Sequence, residues 1–262
     1  WAKGFREGGF NATANRRASL EFDPEDVTNW ELGTNSELLG GAARLNLVLF
    51  WMTLTEFQIL TTEPGTTTSI ITNAGKARAR GVEADGAWLA TDWLTLRAAL
   101  GFNDAEFIEF PFGPCTGDRP DTDGDGDERC DLSGGSIHQV PKWVISVTPS
   151  VRLPLGDFPL VRTTAPPFAA IDLIGSLSAQ YHDTMIVDPT LDPRLRAPSF
   201  FSVDGGIGFE NAGQGWSIRA SVKNMTDVLT TEKGIQAPLL AGHFTRVAGV
   251  PRHVFGEFRW KF

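Results

Sequence analysis

Hydrophobic and polar residues alternate with a period of two along most of the chain. In the last segment, one face carries the apolar and small residues Val254, Gly256, Phe258, Trp260 and Phe262. The other face carries His253, Phe255, Glu257, Arg259 and Lys261. The same pattern recurs earlier within Leu45–Trp51, Val82–Trp88, Leu94–Phe102, Trp143–Val151, Ile171–Tyr181, Phe201–Phe209 and Trp216–Val222. Because successive side chains of a strand point to opposite faces, this pattern predicts amphipathic β-strands.

The lengths of the predicted strands and of their connections favour a membrane barrel. The strands run over about 9–17 residues, whereas soluble sheets average ~5–6 and a tilted membrane-spanning strand needs ~9–11. Short turns are predicted at 39–41, 91–92 and 212–215, and long loops near 59–75, 110–139, 183–197 and 229–250. A further connection at 154–167 is long for the short-turn side. Short turns at one end and long loops at the other are typical of outer-membrane β-barrels.

Counting back from the last strand through alternating turns gives about ten strands, the first near residues 5–14. The predicted fold class is therefore all-β, an antiparallel up-and-down transmembrane β-barrel. Aromatic residues flank the short turns, as Trp88 and Trp93 do at one turn and Phe209 and Trp216 at another. Such placement predicts an aromatic girdle at a membrane interface, with aromatic capping of a soluble sandwich core as the alternative.

Composition narrows the class of protein. The chain has 262 residues, 41% of them hydrophobic, with 23 Lys and Arg against 32 Asp and Glu and a net charge of −9. An acidic balance argues against a nucleic-acid partner, which calls for a basic surface. No run of 18 apolar residues is available for a transmembrane helix. The first ten residues show no basic segment followed by an apolar core, so no signal peptide is visible.

Several short motifs occur in an order that matches one family. They are GFREGGFN at Gly4–Asn11, FDPEDVTNWELGTNSEL at Phe22–Leu38, NAGKARARGVE at Asn73–Glu83, PKW at Pro141–Trp143, NMTD at Asn224–Asp227, and Pro251-Arg252 before the last strand. Together they resemble the C-terminal part of the barrel of a TonB-dependent outer-membrane receptor. The chain departs from the family pattern at Glu7, where Pro is usual, at Trp30 for Tyr, and at Asn35 for Lys.

The resemblance implies a domain organisation. Family members enclose an N-terminal plug domain in a barrel of about 22 strands. With about ten strands and no plug, residues 1–262 are expected to be the C-terminal portion of such a barrel.

The resemblance also implies a function without covalent chemistry, so the chain is not expected to be an enzyme. That function is energy-coupled uptake of a scarce large solute, most often an iron–siderophore complex. The expected location is the outer membrane of a Gram-negative cell. The implied partners are the TonB–ExbB–ExbD system acting through the plug, outer-membrane lipid and lipopolysaccharide, the barrel assembly machinery reading the last strand, and a ferric-siderophore-type ligand.

Two other functions stay open at this point. A self-contained ten-strand barrel would act as a passive pore. A barrel-embedded hydrolase would need Ser, His and Asp or Glu within hydrogen-bond reach near the outer rim. His182 and Asp183 fall near a rim, but spacing singles out no Ser. The four histidines show no zinc-binding spacing.

An acidic loop is the most unusual segment. Asp121, Asp123, Asp125 and Asp127 alternate within DTDGDGD, which matches the first half of an EF-hand-type calcium loop with Gly126 at position 6. Position 12 of this loop, 121–132, is Leu132, where a bidentate Glu is expected. The sequence therefore suggests a Ca²⁺ site, and a solvated acidic loop is the alternative.

Cys115 and Cys130 bracket this acidic run. Both fall in one loop on the side exposed to an oxidising environment, which favours a disulfide over a metal pair or two free thiols. Closing a loop of ~15 residues is worth roughly 3 kcal/mol in the chain-entropy model.

Charged residues occupy the face opposite the apolar one. They are Arg44, Arg97, Arg152, Arg219, Lys223, Arg252, Arg259, Glu83, Asp85, Asp172, Asp204, Glu210 and Glu257. We interpret them as a hydrated wall of mutually compensating charges that packs against a plug. The alternative is that some of them contact an anionic ferric chelate.

Overall fold

A computed structural model describes residues 1–63, 66–116, 129–164, 168, 170–237, 240 and 242–261. Its centre is one sheet of ten strands in which chain neighbours are sheet neighbours, and every pairing is antiparallel. The strands are β1 (Ala2–Arg6), β2 (Glu25–Leu38), β3 (Ala43–Thr62), β4 (Ser69–Thr91), β5 (Leu94–Glu109), β6 (Trp143–Pro154), β7 (Asp172–His182), β8 (Phe200–Asn211), β9 (Trp216–Lys223) and β10 (His253–Trp260). The predicted all-β, up-and-down antiparallel fold is confirmed.

Short elements occupy the connections. Among the described residues, two-stranded ribbons pair Gly9–Phe10 with Glu21–Phe22, Gly113–Pro114 with Arg129–Cys130, Met185–Ile186 with Arg196–Ala197, and Thr231–Gln236 with Phe244–Ala248. An α-helix spans Pro159–Thr164, and 3₁₀ turns span Arg17–Ser19, Leu39–Gly41, Leu155–Asp157 and Pro193–Leu195. In the part of the chain placed by the structure, no helix has the length and apolar character needed to cross a membrane.

The register joins the apolar faces of neighbouring strands into one surface. Leu32 lies opposite Leu49, which lies opposite Val82. At the other edge of the sheet, Ile218 lies between Phe209 and Phe258. Directly paired residues of antiparallel strands share a face. We call this apolar surface the outward face and the opposite surface the inner face.

Aromatic side chains mark both limits of the outward face. Trp88, Trp216 and Trp260 lie near the short turns, and Trp216 is the direct partner of Trp260. Toward the long loops the outward face carries a second row, the loop-end belt, formed by Trp30, Trp51, Phe102 and Trp143. On β3, Ala43 marks the aromatic row near the short turns because it pairs with Trp88, and Trp51 belongs to the row near the long loops. These two residues are eight positions apart, which is about 27 Å along the strand at ~3.4 Å per residue. Strand tilt reduces this span toward the apolar band of ~25 Å found in outer-membrane barrels.

Two of the predicted strand limits were wrong. The loop near 59–75 is shorter than predicted, because β3 continues to Thr62 and β4 begins at Ser69. The first strand is Ala2–Arg6 rather than 5–14. The chain turns away after Arg6 at Gly8, where a Cβ atom would stand 2.6 Å from the Phe22 carbonyl oxygen.

The short turns use backbone conformations that glycine adopts without strain. In the turn between β2 and β3, Gly40 and Gly41 have φ values of 66° and 93°. Between β8 and β9, Gly215 has a φ of 69° and the Asn211 side-chain oxygen accepts a hydrogen bond from the Gln214 N–H at 2.9 Å. These turns hold neighbouring strands in register without a long connection.

Candidate ligand-binding site

Most of the long connections leave the sheet at one end, which we call the loop end, whereas the long connection 155–171 between β6 and β7 lies at the other end. Connections 110–142 and 183–199 precede β6 and β8, and 224–252 precedes β10. Connections 7–24 and 63–68 lie at the same end beside β2 and β4. A surface built by several loops on a rigid sheet is where binding residues concentrate. The loop end is therefore the candidate site.

The described parts of connection 110–142, residues 110–116 and 129–142, pack against the end of the sheet. The N–H of Gly134 donates to the Phe107 carbonyl at 2.7 Å, and that of Ile137 donates to the Ala105 carbonyl at 3.1 Å. Phe107 and Phe110 are buried there, at 0% and 1% exposure. They pack with Leu54, Ile59, Ala74, Ala77, Ala105, Cys130, Leu132 and Ile137. This apolar cluster holds the connection over the end of the sheet.

Within that connection, Cys115 and Cys130 are joined by a disulfide whose Cα atoms are 5.3 Å apart. Gly113 and Pro114 pair with Cys130 and Arg129 beside the bond. The sequence-predicted calcium ligands lie outside the described residues, at Asp121, Asp123, Asp125 and Asp127. Among the residues that the structure places, no group of three His, Cys, Asp or Glu side chains is arranged to hold a metal ion.

Connections 110–142 and 183–199 contact each other through buried polar groups. The Thr116 hydroxyl donates to Asp192 Oδ2 at 3.1 Å, and the N–H of Gln139 donates to the Ile186 carbonyl at 2.7 Å. Asp192 is 2% exposed and also accepts from the Arg194 Nε–H at 2.9 Å. Hydrogen bonds from the Arg194 side chain hold the pKa of Asp192 below its usual value.

A third connection joins the same layer. Val187, Leu195 and Ala197 form a small buried cluster against which Phe244 packs. The Arg194 guanidinium carbon lies 4.3 Å from the centroid of the Phe244 ring. We call these contacting segments, 110–116, 129–142, 183–199, 231–237 and 242–248, the loop layer. Because its members touch one another, a ligand at the loop end meets one connected surface.

The carboxylate of Glu63 anchors connection 7–24 through a separate group of contacts. Glu63 is fully buried and accepts hydrogen bonds from the N–H groups of Asn15 and Arg16, each at 2.9 Å. The Asn15 backbone hydrogen bond is the main cause that keeps the pKa of Glu63 below its usual value. The anchored segment 11–20 thus lies against the turn between β3 and β4.

The inner face carries the predicted compensating charges. Arg152 contacts Asp172 at 2.5 Å and Glu210 at 2.7 Å, and Lys223 contacts Asp204 at 2.6 Å. On the same face Arg259 contacts Glu257, and hydrogen bonds join Arg219 to Ser176 and Asn46 to Asp85, whereas the contact of Arg252 with Asp227 lies in connection 224–252. These contacts agree with a wall of paired charges.

The histidines have structural surroundings. His182 stacks on Phe200 with ring centroids 4.8 Å apart, and Asp183 accepts from the Thr184 N–H at 2.7 Å. His138 belongs to the loop layer, and its Nδ1 atom is buried with no hydrogen-bond partner in the described part of the chain. Burial lowers the pKa of His138, and the Asp188 charge opposes that shift.

Sequence reasoning missed the residues that join the loops. Thr116, Asp192 and Glu63 belong to segments without periodicity, and nothing in their spacing marks them. Asn73 falls in a segment quoted for the resemblance, and it joins connection 7–24 to β3 by donating to the Asp23 and Glu56 carbonyls at 3.0 and 2.8 Å.

A sequence model of the family described as "TonB dependent receptor-like, beta-barrel" matches residues 1–225. A comparison with curated proteins gives no match. Solved structures with the same fold include the ferric yersiniabactin uptake receptor FyuA from Yersinia pestis, with a TM-score of 0.71 and 18% identity over 98% of this chain and 33% of that one.

Two further structures are the siderophore receptor PiuA and the ferric preacinetobactin receptor BauA, both from Acinetobacter baumannii. PiuA has a TM-score of 0.62 and 17% identity over 92% of this chain and 30% of its own. BauA has a TM-score of 0.61 and 17% identity over 98% of this chain and 32% of its own. The chain spans about a third of the length of these receptors.

Proposed function

The chain belongs to the TonB-dependent receptor-like β-barrel family, and from this membership we propose that it forms the C-terminal part of an outer-membrane receptor that imports an iron–siderophore complex. In this proposal residues 1–262 supply barrel wall and loops. The plug domain and the remaining strands belong to other parts of the protein. Force from the TonB–ExbB–ExbD system shifts the plug and opens a path along the inner face.

The observation that carries this proposal is the ten-stranded sheet with its connected loop layer. The sheet superimposes over 98% of the chain on a third of a ferric yersiniabactin uptake receptor. The neighbours are transport receptors, which supports uptake over the hydrolase alternative.

In this proposal the two faces of the sheet have distinct tasks. The outward face contacts the outer-membrane lipid, and the last strand, β10, offers its edge to the barrel assembly machinery. The inner face is polar and charge-paired, as Arg152 with Asp172 and Glu210 shows. Because paired charges on a hydrated wall produce little net electric field, they would not bind a charged chelate tightly as it moves inward. The loop layer supplies the first contacts with the chelate.

Iron uptake tests this proposal directly. Cells that carry the complete gene and cells that lack it are grown under iron limitation. Each is supplied with ⁵⁵Fe complexed to a catecholate, a hydroxamate or a phenolate–thiazoline chelator. We expect uptake of at least one complex to need the gene and to stop when the proton-motive force is collapsed. Equal uptake of all three complexes with and without the gene would overturn the proposed substrate class.

The upstream DNA sequence tests the domain organisation. An open frame encoding a plug, a TonB-contact segment and about 12 more alternating strands is expected. A start codon and signal peptide next to Trp1 would instead support a self-contained barrel. Such a barrel would conduct ions in planar bilayers without TonB.

A further inference from the structure

We propose that the solute path follows strands β6–β9 of the inner face, along a row of hydroxyl groups with Arg219 beside it. This inference rests on the proposed function, in which the plug moves and opens a path along the inner face. It goes further by assigning the path to one half of the described wall. We call the hydroxyl-bearing residues the hydroxyl strip, which consists of Thr148, Ser150, Ser176, Ser178, Ser202 and Ser221.

The register places the members of the strip side by side on the inner face. The Thr148 hydroxyl on β6 donates to Ser178 Oγ on β7 at 3.1 Å. The other members are joined by cross-strand pairs, which are Ser150 with Ser176, Ser176 with Gly206, Gly206 with Ser221, and Gln180 with Ser202. Directly paired residues of antiparallel strands share a face. The hydroxyls therefore form one continuous polar surface across four strands.

The chemistry of the strip suits a moving solute. A hydroxyl group donates one hydrogen bond and accepts others, so it can replace water around the polar groups of a solute. Because it is uncharged and its side chain is short, it neither holds a charged solute tightly nor narrows the lumen. Transport needs sites that are favourable enough to enter and weak enough to leave. A series of neutral hydroxyls along the strands meets both conditions.

Arg219 adds a positive charge next to the strip. Its Nη2 donates to Ser176 Oγ at 2.6 Å and reaches across β8 to do so. This crossing depends on Gly206, where a Cβ atom would stand 2.9 Å from Arg219 Nε. The guanidinium therefore lies along the wall, where a passing solute can contact it without being blocked by it.

The surroundings of Arg219 differ from those of the neighbouring cations. Arg152 and Lys223 each contact a carboxylate. The cross-strand neighbour of Arg219 is Glu257, whose carboxylate contacts Arg259. In the described part of the chain, Arg219 has no ion pair, and its Nε–H is buried without a hydrogen-bond partner. An anionic solute on the strip therefore meets a cation that is not already held by a carboxylate.

The other half of the described wall has a different lining. At the levels of the strip, the inner positions of β2–β5 carry mainly charged or amide side chains, which are Asn35, Glu37, Arg44, Asn46, Asp85 and Arg97. Among the residues that the structure places, neither Arg44 nor Arg97 has an ion pair. Closer to the loop end, the apolar ring of Phe50 lies across Gly81. Because such groups call for a covering partner, we assign this half to contact with the plug.

Thiol accessibility in the complete receptor tests the path. Ser150→Cys and Ser178→Cys place a thiol on the strip, and Asn35→Cys places one on the half assigned to the plug. Asn35 is exposed in this chain and the two serines are half-buried, so only cover by another part of the protein would protect the control. A small charged methanethiosulfonate reagent should modify the strip variants at least about ten-fold faster, because thiol exchange depends on access. Mass spectrometry measures the rates, and the three thiols should react alike in the unfolded protein.

Modification of the strip should also stop transport. Cells that carry Ser178→Cys are treated with a bulky maleimide, and uptake of the three ⁵⁵Fe complexes named above is measured. Cys115 and Cys130 are bonded to each other and so do not react. We expect uptake to fall at least about ten-fold, because a bulky group on the path blocks it, while binding of the complex to the cell surface stays unchanged. Untreated Ser178→Cys cells and treated wild-type cells should import as before.

The role of Arg219 is tested through its charge. Arg219→Gln keeps a hydrogen-bond donor and removes the charge, so it should lower the maximal uptake rate about five-fold without weakening surface binding. Arg219→Lys should restore most of the rate. Arg78→Gln, with the same charge change on the outward face, should import like the wild type. Equal loss in Arg219→Gln and Arg219→Lys would show that Arg219 acts only in packing.

The outcomes separate the two proposals. Equal modification rates at the three thiols, or full uptake after complete modification of Ser178→Cys, would overturn the path along the strip. Faster reaction at Asn35→Cys, with loss of uptake after its modification, would place the path on β2–β5 instead. If the wild type imports none of the complexes, the import function fails, and fast modification confined to the strip would still support a hydrated path there.

Discussion

The side chain of Asn11 pairs with the backbone of Ile71 as a strand residue would. Asn11 Nδ2 donates to the Ile71 carbonyl, and the Ile71 N–H donates to Asn11 Oδ1, both at 2.8 Å. The second Nδ2 hydrogen is donated to the Ser19 carbonyl at 2.9 Å. One buried amide thus ties the first connection to β4 and closes its own loop.

Replacing Asn11 by Ala should open this contact. Two backbone groups of Ile71 lose their partner, and a buried unsatisfied group costs about 1–3 kcal/mol. We expect the Ile71 amide to exchange with deuterium about ten-fold faster in Asn11→Ala, since ~1.4 kcal/mol corresponds to a factor of ten. Thr13→Ala, at an exposed position in the same connection, serves as the control. Unchanged exchange at Ile71 would show that the pairing contributes nothing.

The disulfide between Cys115 and Cys130 should hold a nicked loop together. Trypsin cleavage at Arg129 leaves the two products joined in the oxidised protein, and a reductant separates them. Cys115→Ser/Cys130→Ser should release the products without reductant. It should also lower the stability of the loop by roughly 3 kcal/mol. Mass spectrometry after cleavage, with and without reductant, measures whether the two products stay joined in the wild type and separate in the variant. Two free thiols in the untreated protein would contradict the bond.

The acidic loop should bind Ca²⁺ weakly if Asp121, Asp123 and Asp125 act as ligands. Without a bidentate Glu at position 12, we expect a dissociation constant of about 10⁻⁴–10⁻³ M, as in extracellular modules. Isothermal titration with CaCl₂ measures it. Asp121→Asn/Asp123→Asn/Asp125→Asn should abolish the signal, and Asp131→Asn should leave it unchanged. A titration without heat in the wild type would favour a solvated acidic loop.

Periodicity located the membrane-spanning strands because lipid imposes it. Phe201–Phe209 and Trp216–Val222 were found within β8 and β9 since every second residue faces hydrocarbon. Beyond the loop-end belt the strands no longer face lipid, so lipid no longer imposes one continuous alternation there. In the extension of β3 to Thr62 the alternation changes phase at Glu56, which has a φ of 52°, so Phe57 and Ile59 do not continue the pattern of Met52 and Leu54, and the sequence did not reveal the extension.

The candidate site was less predictable than the sheet. Its contacts join residues far apart in sequence, as Thr116 with Asp192 shows. Hydrogen bonds of this kind depend on which loops lie side by side, and neither spacing nor composition encodes that. The one loop feature that spacing pointed to, Cys115 with Cys130, lies within a single connection.

The two faces of β3 should respond oppositely to the same substitution. Leu49 lies on the outward face between Leu32 and Val82, whereas Val48 lies on the inner face beside Gly33 and Glu83. Leu49→Arg should cost about 1–3 kcal/mol, because Leu49 lies two residues from Trp51 of the loop-end belt and the cost for Arg falls from ~2–4 kcal/mol at the bilayer midplane to ~0–1 kcal/mol at the interface. Val48→Arg should be tolerated beside Glu83. The heat-modifiable band of each variant in isolated outer membranes reports assembly, and equal yields would contradict the assigned faces.

Acidification should loosen the loop layer through His138. Burial lowers its pKa in the folded protein from the usual value of 6.5, and the Asp188 charge only partly opposes this. The unfolded or opened loop therefore binds a proton more readily than the closed one. The histidine's contribution to loop stability is complete above pH 6.5 and is lost as the pH falls from there toward the lowered pKa.

Deuterium exchange at the Gln139 and Leu195 amides, measured at pH 7.5 and 5.5 after correction for intrinsic rates, tests this prediction. We expect faster exchange at pH 5.5 in the wild type and a smaller change in His138→Gln, which cannot titrate. Asp188→Asn removes the opposing charge and should steepen the response. His253→Gln, at the exposed start of β10 outside this layer, should behave as the wild type. A wild-type response that persists in His138→Gln would assign the pH dependence to another group.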